Sequence, residues 1–229
     1  MNSEMNKLAA YLVKKLESTS ENERFLVGIS GSPASGKSTV AQHLVDEVNT
    51  ALKANSSDSQ AILVGLDGWH LTRAQLDAFP DPQLAHSRRG AHWTFDGPGY
   101  VEWIHSLRTQ GEVKLAPSFD HAVKDPTPNA VSVHPYHRIV VIEGLYTFLS
   151  IEPWSAGSAL LDERWWIEVD EEEAQRRLIK RHVISGVAKD EEEALWRAEE
   201  NDLPNARFIR ENMLEPTQVL HSNHDEALA

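Results

Sequence analysis

Eight residues constrain this chain more than any others: Gly31-Ser32-Pro33-Ala34-Ser35-Gly36-Lys37-Ser38 fits G-x-x-x-x-G-K-[ST] at every fixed position. Glycines let the backbone turn tightly and aim successive N–H groups inward at phosphate oxygens. Lys37 carries a point charge to the β/γ-phosphates, and the Ser38 hydroxyl suits a Mg²⁺ ion. The flanks have the order such a loop requires. Phe25-Leu26-Val27-Gly28-Ile29 is a short apolar run fit for a buried strand, and Val40, Ala41, Leu44, Val45, Val48 and Leu52 recur at helical spacing. Strand, loop and helix in that order put the positive end of a helix dipole on the phosphate site, with Thr39 following Ser38 into the helix. The ligand these residues select is a nucleoside triphosphate.

Further apolar runs repeat the strand signal at Ala61 to Leu66, Ile139 to Ile142 and Trp165 to Val169, with a weaker one at Thr217 to Leu220. Helical patterns lie between several of them, as βαβ units require, so the expected fold class is α/β: a three-layer P-loop NTPase fold, with a central parallel sheet and helices on both faces. A chain of 229 residues is of a size for one large domain, residues 1–229. Its residues 67–138 are too long for a plain crossover and are expected to be an acceptor-binding insertion, and residues 221–229 a flexible tail. Within the insertion, Pro98 opens a short helix carrying Val101, Ile104 and Leu107. Val113-Lys114-Leu115 and Val131-Ser132-Val133 then flank a proline-rich loop and can pair as a hairpin. Asp170 before Glu171-Glu172-Glu173, and Asp190 with Glu193, read as helix caps.

Charge and composition exclude several classes. With 22 basic against 35 acidic side chains the formal charge is −13, which disfavours DNA or RNA as a partner, while a small anionic nucleotide needs only a local positive pocket. No apolar stretch reaches the length of a membrane helix. The amphipathic N-terminus, with Met5, Leu8, Leu12 and Leu16, lacks the apolar core of a signal peptide, so a cytoplasmic protein without a membrane partner is expected. The absence of cysteine removes thiol nucleophiles and thiolate metal sites. His70, His92, His121, His134 and His137 show no paired ligand spacing, which argues against structural zinc.

Two acids directly follow apolar runs: Asp67 after Val64-Gly65-Leu66, and Glu143 after Val140-Val141-Ile142. Ligands of open parallel sheets bind at the C-terminal strand edge, so both carboxylates can face the triphosphate. Asp67 is assigned to the acceptor hydroxyl and Glu143 to Mg²⁺, directly or through water, the alternative being a turn at Asp67-Gly68 and a cap at Glu143. Arg177 and Arg181, four residues apart, share a helix face that suits phosphate contacts or simply the helix dipole. His70, Arg89, His92, Phe119, Asp120, His121 and Tyr146 are candidates for an acceptor pocket, with Phe119 and Tyr146 giving the aromatic surface that favours a nucleoside.

These residues carry a resemblance. The chain resembles the phosphoribulokinase, uridine kinase and type I pantothenate kinase branch of the P-loop kinases, which pair the phosphate loop with an Asp ending the second strand and an apolar-Glu-Gly segment at the third. Here those segments are Leu66-Asp67-Gly68-Trp69-His70 and Val141-Ile142-Glu143-Gly144-Leu145-Tyr146. The similarity extends to uridine-kinase-like and fructose-transport-system-kinase-like proteins through Arg88-Arg89-Gly90-Ala91-His92-Trp93-Thr94-Phe95-Asp96, Ala116-Pro117-Ser118-Phe119-Asp120, Arg181-His182 and Asn201-Asp202-Leu203-Pro204-Asn205-Ala206-Arg207. It implies an ATP-dependent metabolite kinase using Mg²⁺, with Asp67 as catalytic base, Arg177 or Arg181 as lid residues, and a small-molecule substrate that offers a hydroxyl; a homodimer stays open. Gly68-Trp69-His70 departs from the aromatic pair of standard uridine kinases and approaches the pantothenate kinase pattern, so pantothenate and sugars stand beside a nucleoside as acceptors. An ATP-binding regulator without an acceptor is the rival class. No guanine-reading Asn-Lys-x-Asp segment is present, which argues against a GTPase.

Overall fold

A strand covered on both faces needs apolar residues at every position, and all seven residues of β1 (Phe25–Gly31) are buried. The computed structural model describes residues 2–109, 111–120 and 123–222; His121 and the tail from 223 onward lie outside the described residues. An amphipathic helix α1 (Asn2–Glu17) precedes β1, and α2 (Lys37–Ala54) follows it. Next come β2 (Gln60–Gly65), a 3₁₀ turn over Leu66–Trp69, the short helices α3 (Arg73–Asp77) and α4 (Pro82–Ser87), and α5 (Gly97–Leu107). The hairpin β3 (Lys114–Asp120) and β4 (Asp125–Val133) leads to β5 (His137–Glu143), α6 (Trp154–Ser158) and β6 (Glu163–Glu168). Helices α7 (Glu171–Ile184) and α8 (Glu191–Arg197), a π turn over Ala198–Asp202, α9 (Leu203–Asn212) and β7 (Gln218–His221) complete the chain.

The main sheet has five strands in the order β2-β5-β1-β6-β7, every neighbour parallel. All five apolar runs are therefore strands of one parallel sheet, with β1 in the middle. Alternation along each strand sends side chains to two cores. Val27, Ile29, Ile139, Val141, Trp165 and Ile167 pack with α1 and α2 on one face. Leu26, Val140, Ile142 and Trp166 pack on the other with Tyr100 and Ile104 of α5, Trp154 of α6 and Ile209 of α9. Trp165 and Trp166 thus serve opposite faces as neighbours in a strand must. No described helix is long and apolar enough to cross a membrane.

The insertion departs from expectation in one respect. Val113 lies outside the ladder, but Lys114, Leu115 and Ala116 do pair antiparallel with Val133, Ser132 and Val131. The proline-rich stretch beyond them is also strand, pairing on to Asp120 and Asp125. Pro117, Pro126 and Pro128 fit because this sheet has only two strands, so a residue lacking an N–H can turn that side to the open edge. The capping signals hold for α7 and α8, where Asp170 and Asp190 accept from first-turn amides; α5 starts with Pro98 in its first turn as expected, and is capped in addition by Asp96. The Glu193 carboxylate, however, accepts from the Lys189 amide rather than closing a box on Asp190.

Candidate active site

The phosphate loop is shaped by its backbone. Gly36 has φ 86°, in the left-handed region, and so turns the chain into α2 without the penalty a side chain would bring. Ala34 shares that region at φ 60°. Gly36 caps α2 with no side-chain hydrogen bond, whereas Thr72, Asp81, Asp96, Asp170 and Asp190 close α3, α4, α5, α7 and α8. The Ser35 amide donates to the Ser32 carbonyl at 3.1 Å within the loop, and the buried Ser35 hydroxyl has no partner among the described residues. An 18-residue helix whose first amides receive no side-chain acceptor fits a phosphate group.

Lys37, Ser38, Glu143 and Asp67 converge beside this helix start. Parallel pairing sets Gly65 at the end of β2 opposite Glu143 at the end of β5, and β5 lies against β1, which runs into the loop. Burial pushes the Lys37 ammonium down from its usual value, opposed by Glu143 and Asp67 and reinforced by Arg181. Burial likewise pushes the Glu143 carboxyl up; Lys37 opposes this, Asp67 adds to it, and a hydrogen bond with Ser38 works against it. Each charge thus restrains the desolvation of the other. Ser38 itself is exposed. A hydroxyl and a carboxylate side by side at the mouth of a phosphate loop are hard oxygen donors of the kind Mg²⁺ takes alongside phosphate. Asp67 sits in the 3₁₀ turn. That turn is clamped by the hairpin, since a Cβ on Gly68 would collide with the Pro117 carbonyl. His70 closes it, its Nδ1 2.8 Å from the Asp67 carbonyl oxygen.

The helical side contributes Arg177, whose Nε donates to Glu173 at 2.6 Å and whose Nη1 donates to the Ser222 hydroxyl at 3.0 Å, beside Gly36. Arg181 is exposed, its charge felt at Lys37. A cavity of about 220 Å³ lies between α7 and α9, lined by Ser32 and Pro33 of the loop, Gln175 and Leu178 of α7, and Asp202 and Ala206. It is beside the loop rather than over Lys37.

Several of the expected acceptor residues are committed elsewhere. Tyr146 is fully buried and its hydroxyl donates to the Gly90 carbonyl at 2.7 Å, so it is a core residue and not a pocket wall. Burial drives its phenol well above the usual range. Arg89 is structural: its Nη1 donates to the Lys124 carbonyl at 2.6 Å, its Nη2 to the Leu71 carbonyl at 2.8 Å, and Asp125 lies at 3.5 Å. Its guanidinium also covers the Phe119 ring at 5.4 Å. The other side of that aromatic cluster is His70, whose ring lies 4.7 Å from Phe119 and 4.0 Å from Phe95. His92 stacks on Phe208 at 4.1 Å, and burial lowers its imidazolium. Asp120 is exposed where the hairpin ladder ends, opposite Asp125, with His121 outside the described residues.

Other residues reach the site that the sequence reading passed over. Asp202 lies in the π turn; its charge is felt by both Lys37 and Tyr146, and it lies 3.0 Å from Nε2 of the buried His182. Asn201 donates to the Arg89 carbonyl at 3.1 Å, and Arg88 is felt at Tyr146. The signal was present, since Arg88, His182, Asn201 and Asp202 all stand in the shared segments. Asp202 before Leu-Pro, however, reads locally as a helix boundary.

No family model matches the chain. Among curated proteins, the ATP-dependent kinase-like protein notR' of Aspergillus versicolor is 46% identical over 165 residues, covering 70% of this chain and 96% of its own. A provisionally named uridine kinase of Schizosaccharomyces pombe is 35% identical over 208 residues, covering 90% and 87%. Among solved structures, a provisionally named fructose transport system kinase of Silicibacter superposes with a TM-score of 0.79 at 32% identity, over 93% of this chain and 98% of that one. YFH7 of Saccharomyces cerevisiae, a P-loop protein, superposes at 0.81 with 24% identity over 96% and 99%, a likeness of fold alone.

Proposed function

The chain belongs to the uridine-kinase-like P-loop kinases, and from that premise we propose that it transfers the γ-phosphoryl group of ATP to a hydroxyl of a small metabolite. The observation that carries the reading is the joining of Lys37, Ser38, Glu143 and Asp67 at the uncapped start of α2. Backbone amides of the loop and Lys37 bind the phosphates. Ser38 and Glu143 would hold Mg²⁺, which when bound neutralises charge between β- and γ-phosphates. Asp67, with its side chain 42% exposed, is open to an acceptor. It orients the acceptor hydroxyl and accepts its proton as the new O–P bond forms and the bond to ADP breaks. Arg177 and Arg181 come from α7 toward the same loop and serve as cations for the transferring group.

The acceptor is read from what is left free. Of the rings that favoured a nucleoside, Tyr146 is buried inside the fold and the half-buried Phe119 lies between Arg89 and His70, so the case for a flat base is weakened and leans on one relative's name. Another relative's name points to a sugar. We favour a small polyhydroxylated acceptor, with a nucleoside as second reading, acting in the cytoplasm. ADP formation from MgATP across sugars, glycerate, pantothenate and nucleosides tests it. One class should raise ADP formation above the rate with water alone, and Lys37→Ala should lower that rate by about 10²–10³-fold, the usual effect of removing a charge-stabilising donor. ATP hydrolysis indifferent to every acceptor would favour a regulator instead.

A further inference from the structure

Arg88 and Arg89 are neighbours with opposite fates. Both have a buried Nε without a hydrogen-bond partner, but both terminal nitrogens of Arg89 are spent on the Lys124 and Leu71 carbonyls, with Asp125 beside them. The guanidinium of the half-buried Arg88 forms no ion pair among the described residues. Its backbone is nevertheless firmly held. The Arg88 amide donates to the Leu84 carbonyl at 2.9 Å, and its carbonyl accepts from Ala91 at 2.9 Å. One residue on, Asn201 holds the Arg89 carbonyl, and Tyr146 holds that of Gly90. The turn is thus fastened to the segment after Glu143 and to the π turn that carries Asp202, which are two walls of the site. An arginine ordered at such a place with an unsatisfied buried donor costs free energy unless something completes it.

We propose that Arg88 receives an anionic group of the acceptor, a phosphate or a carboxylate, so that the substrate is an acidic polyol rather than a neutral one. The proposal rests on the kinase reading above and narrows it. The phosphates of ATP are met by α2, Lys37 and α7, whereas Arg88 issues from the end of α4, in the insertion, and its charge is felt at Tyr146 together with those of Asp67 and Asp202. A planar guanidinium offers two parallel N–H groups to either kind of oxyanion, which a neutral hydroxyl cannot match.

Matched neutral and charged compounds decide it: ribose with ribose 5-phosphate, glycerol with glycerol 3-phosphate and glycerate, and uridine with its 5′-monophosphate. Calorimetry on the full chain loaded with MgADP reads binding, and ADP formation from MgATP reads turnover separately. At least one charged member should bind about tenfold or more tightly than its neutral twin. Arg88→Ala should abolish that preference and leave ADP affinity unchanged, while Arg88→Lys should restore part of it at unchanged melting temperature. The phosphate and carboxylate arms separate the two sources of charge. Equal binding of the twins, no binding by any charged member, a preference that survives Arg88→Ala, or a loss confined to ATP each overturns the proposal. Turnover of neutral acceptors alone would leave the kinase reading intact and remove only the anion. Charge-selective binding without ADP formation would keep Arg88 as an anion site and remove the kinase reading.

Discussion

The segment from Phe25 to Ala54 and the segment from Leu66 to Val133 both deliver residues to the site, yet they hold their shapes differently. The first is a backbone device: a wholly buried strand, a left-handed glycine and an uncapped helix, with few side-chain bonds. The second is held by side chains reaching long distances, Arg89 to the hairpin turn, Arg73 to Asp125, and Tyr146 to Gly90. A local device keeps one geometry whatever surrounds it. A wall assembled from distant contacts can be re-cut residue by residue, which suits the part of a kinase that differs between acceptors.

The sharpest way to break this comparison is at Asp67, where the two segments meet. Asp67→Asn keeps the shape and loses the base, so turnover should fall by about 10²–10⁴-fold with ATP affinity little changed. Steady-state kinetics with a separate nucleotide titration checks it, and if Glu143→Gln alone abolished turnover the two roles would be exchanged. Next in size is a pH effect at the root of the hairpin. His137 is buried where β5 begins and accepts from the His134 amide at 3.0 Å; burial first, then the charges of His134 and Arg24, depress its pKa to about 4. The unfolded chain binds that proton near the ordinary value and the folded one does not. Stability is therefore full above about pH 6.5 and is lost as pH falls toward 4, by up to about 3 kcal/mol. Denaturant melts should show that slope flattened in His137→Gln.

Arg89→Ala addresses the long-distance wall directly. It should lower stability by about 2–3 kcal/mol through the lost charged hydrogen bonds to Lys124 and Leu71. Acceptor KM should change only as far as the hairpin loosens. A KM effect at unchanged melting temperature would return Arg89 to the pocket. The smallest expected effect is Tyr146→Phe, about 1 kcal/mol from an unpaired Gly90 carbonyl, read as a shift in thermal midpoint. A larger loss in turnover than in stability would mean that this bond positions Arg88 as well as closing the core.

What could be read beforehand follows the same division. The strand, loop and helix around Lys37 were legible because each signal lies within a few residues of the next, and the ends of β2 and β5 marked Asp67 and Glu143. Adjacent residues on a turn carry no such mark. Arg88 and Arg89 are chemically alike, and only the hairpin, some 35 residues on at Lys124, decides which one is consumed. Tyr146 follows the third apolar run just as a pocket aromatic would, and its burial becomes visible only when α6 supplies Trp154 at 5.8 Å. The prolines of the hairpin suggest loop because the open edge of both strands is a property of the two-stranded sheet and not of any local stretch of residues.

The π turn at Ala198–Asp202 holds a final consequence. A π turn carries one residue more than an α-helix needs, and it sits immediately before α9, whose first turn holds Pro204. Removing a single residue there would let α8 run straight into α9 as ordinary helix, rotating α8 by about 100° relative to α9. Asn201 and Asp202 would leave the site while the helix remained intact. Length, at this one point, is information in the way that sequence is elsewhere: the extra residue acts as a spacer that sets phase, and a homologue lacking it would fold alike and recognise something else.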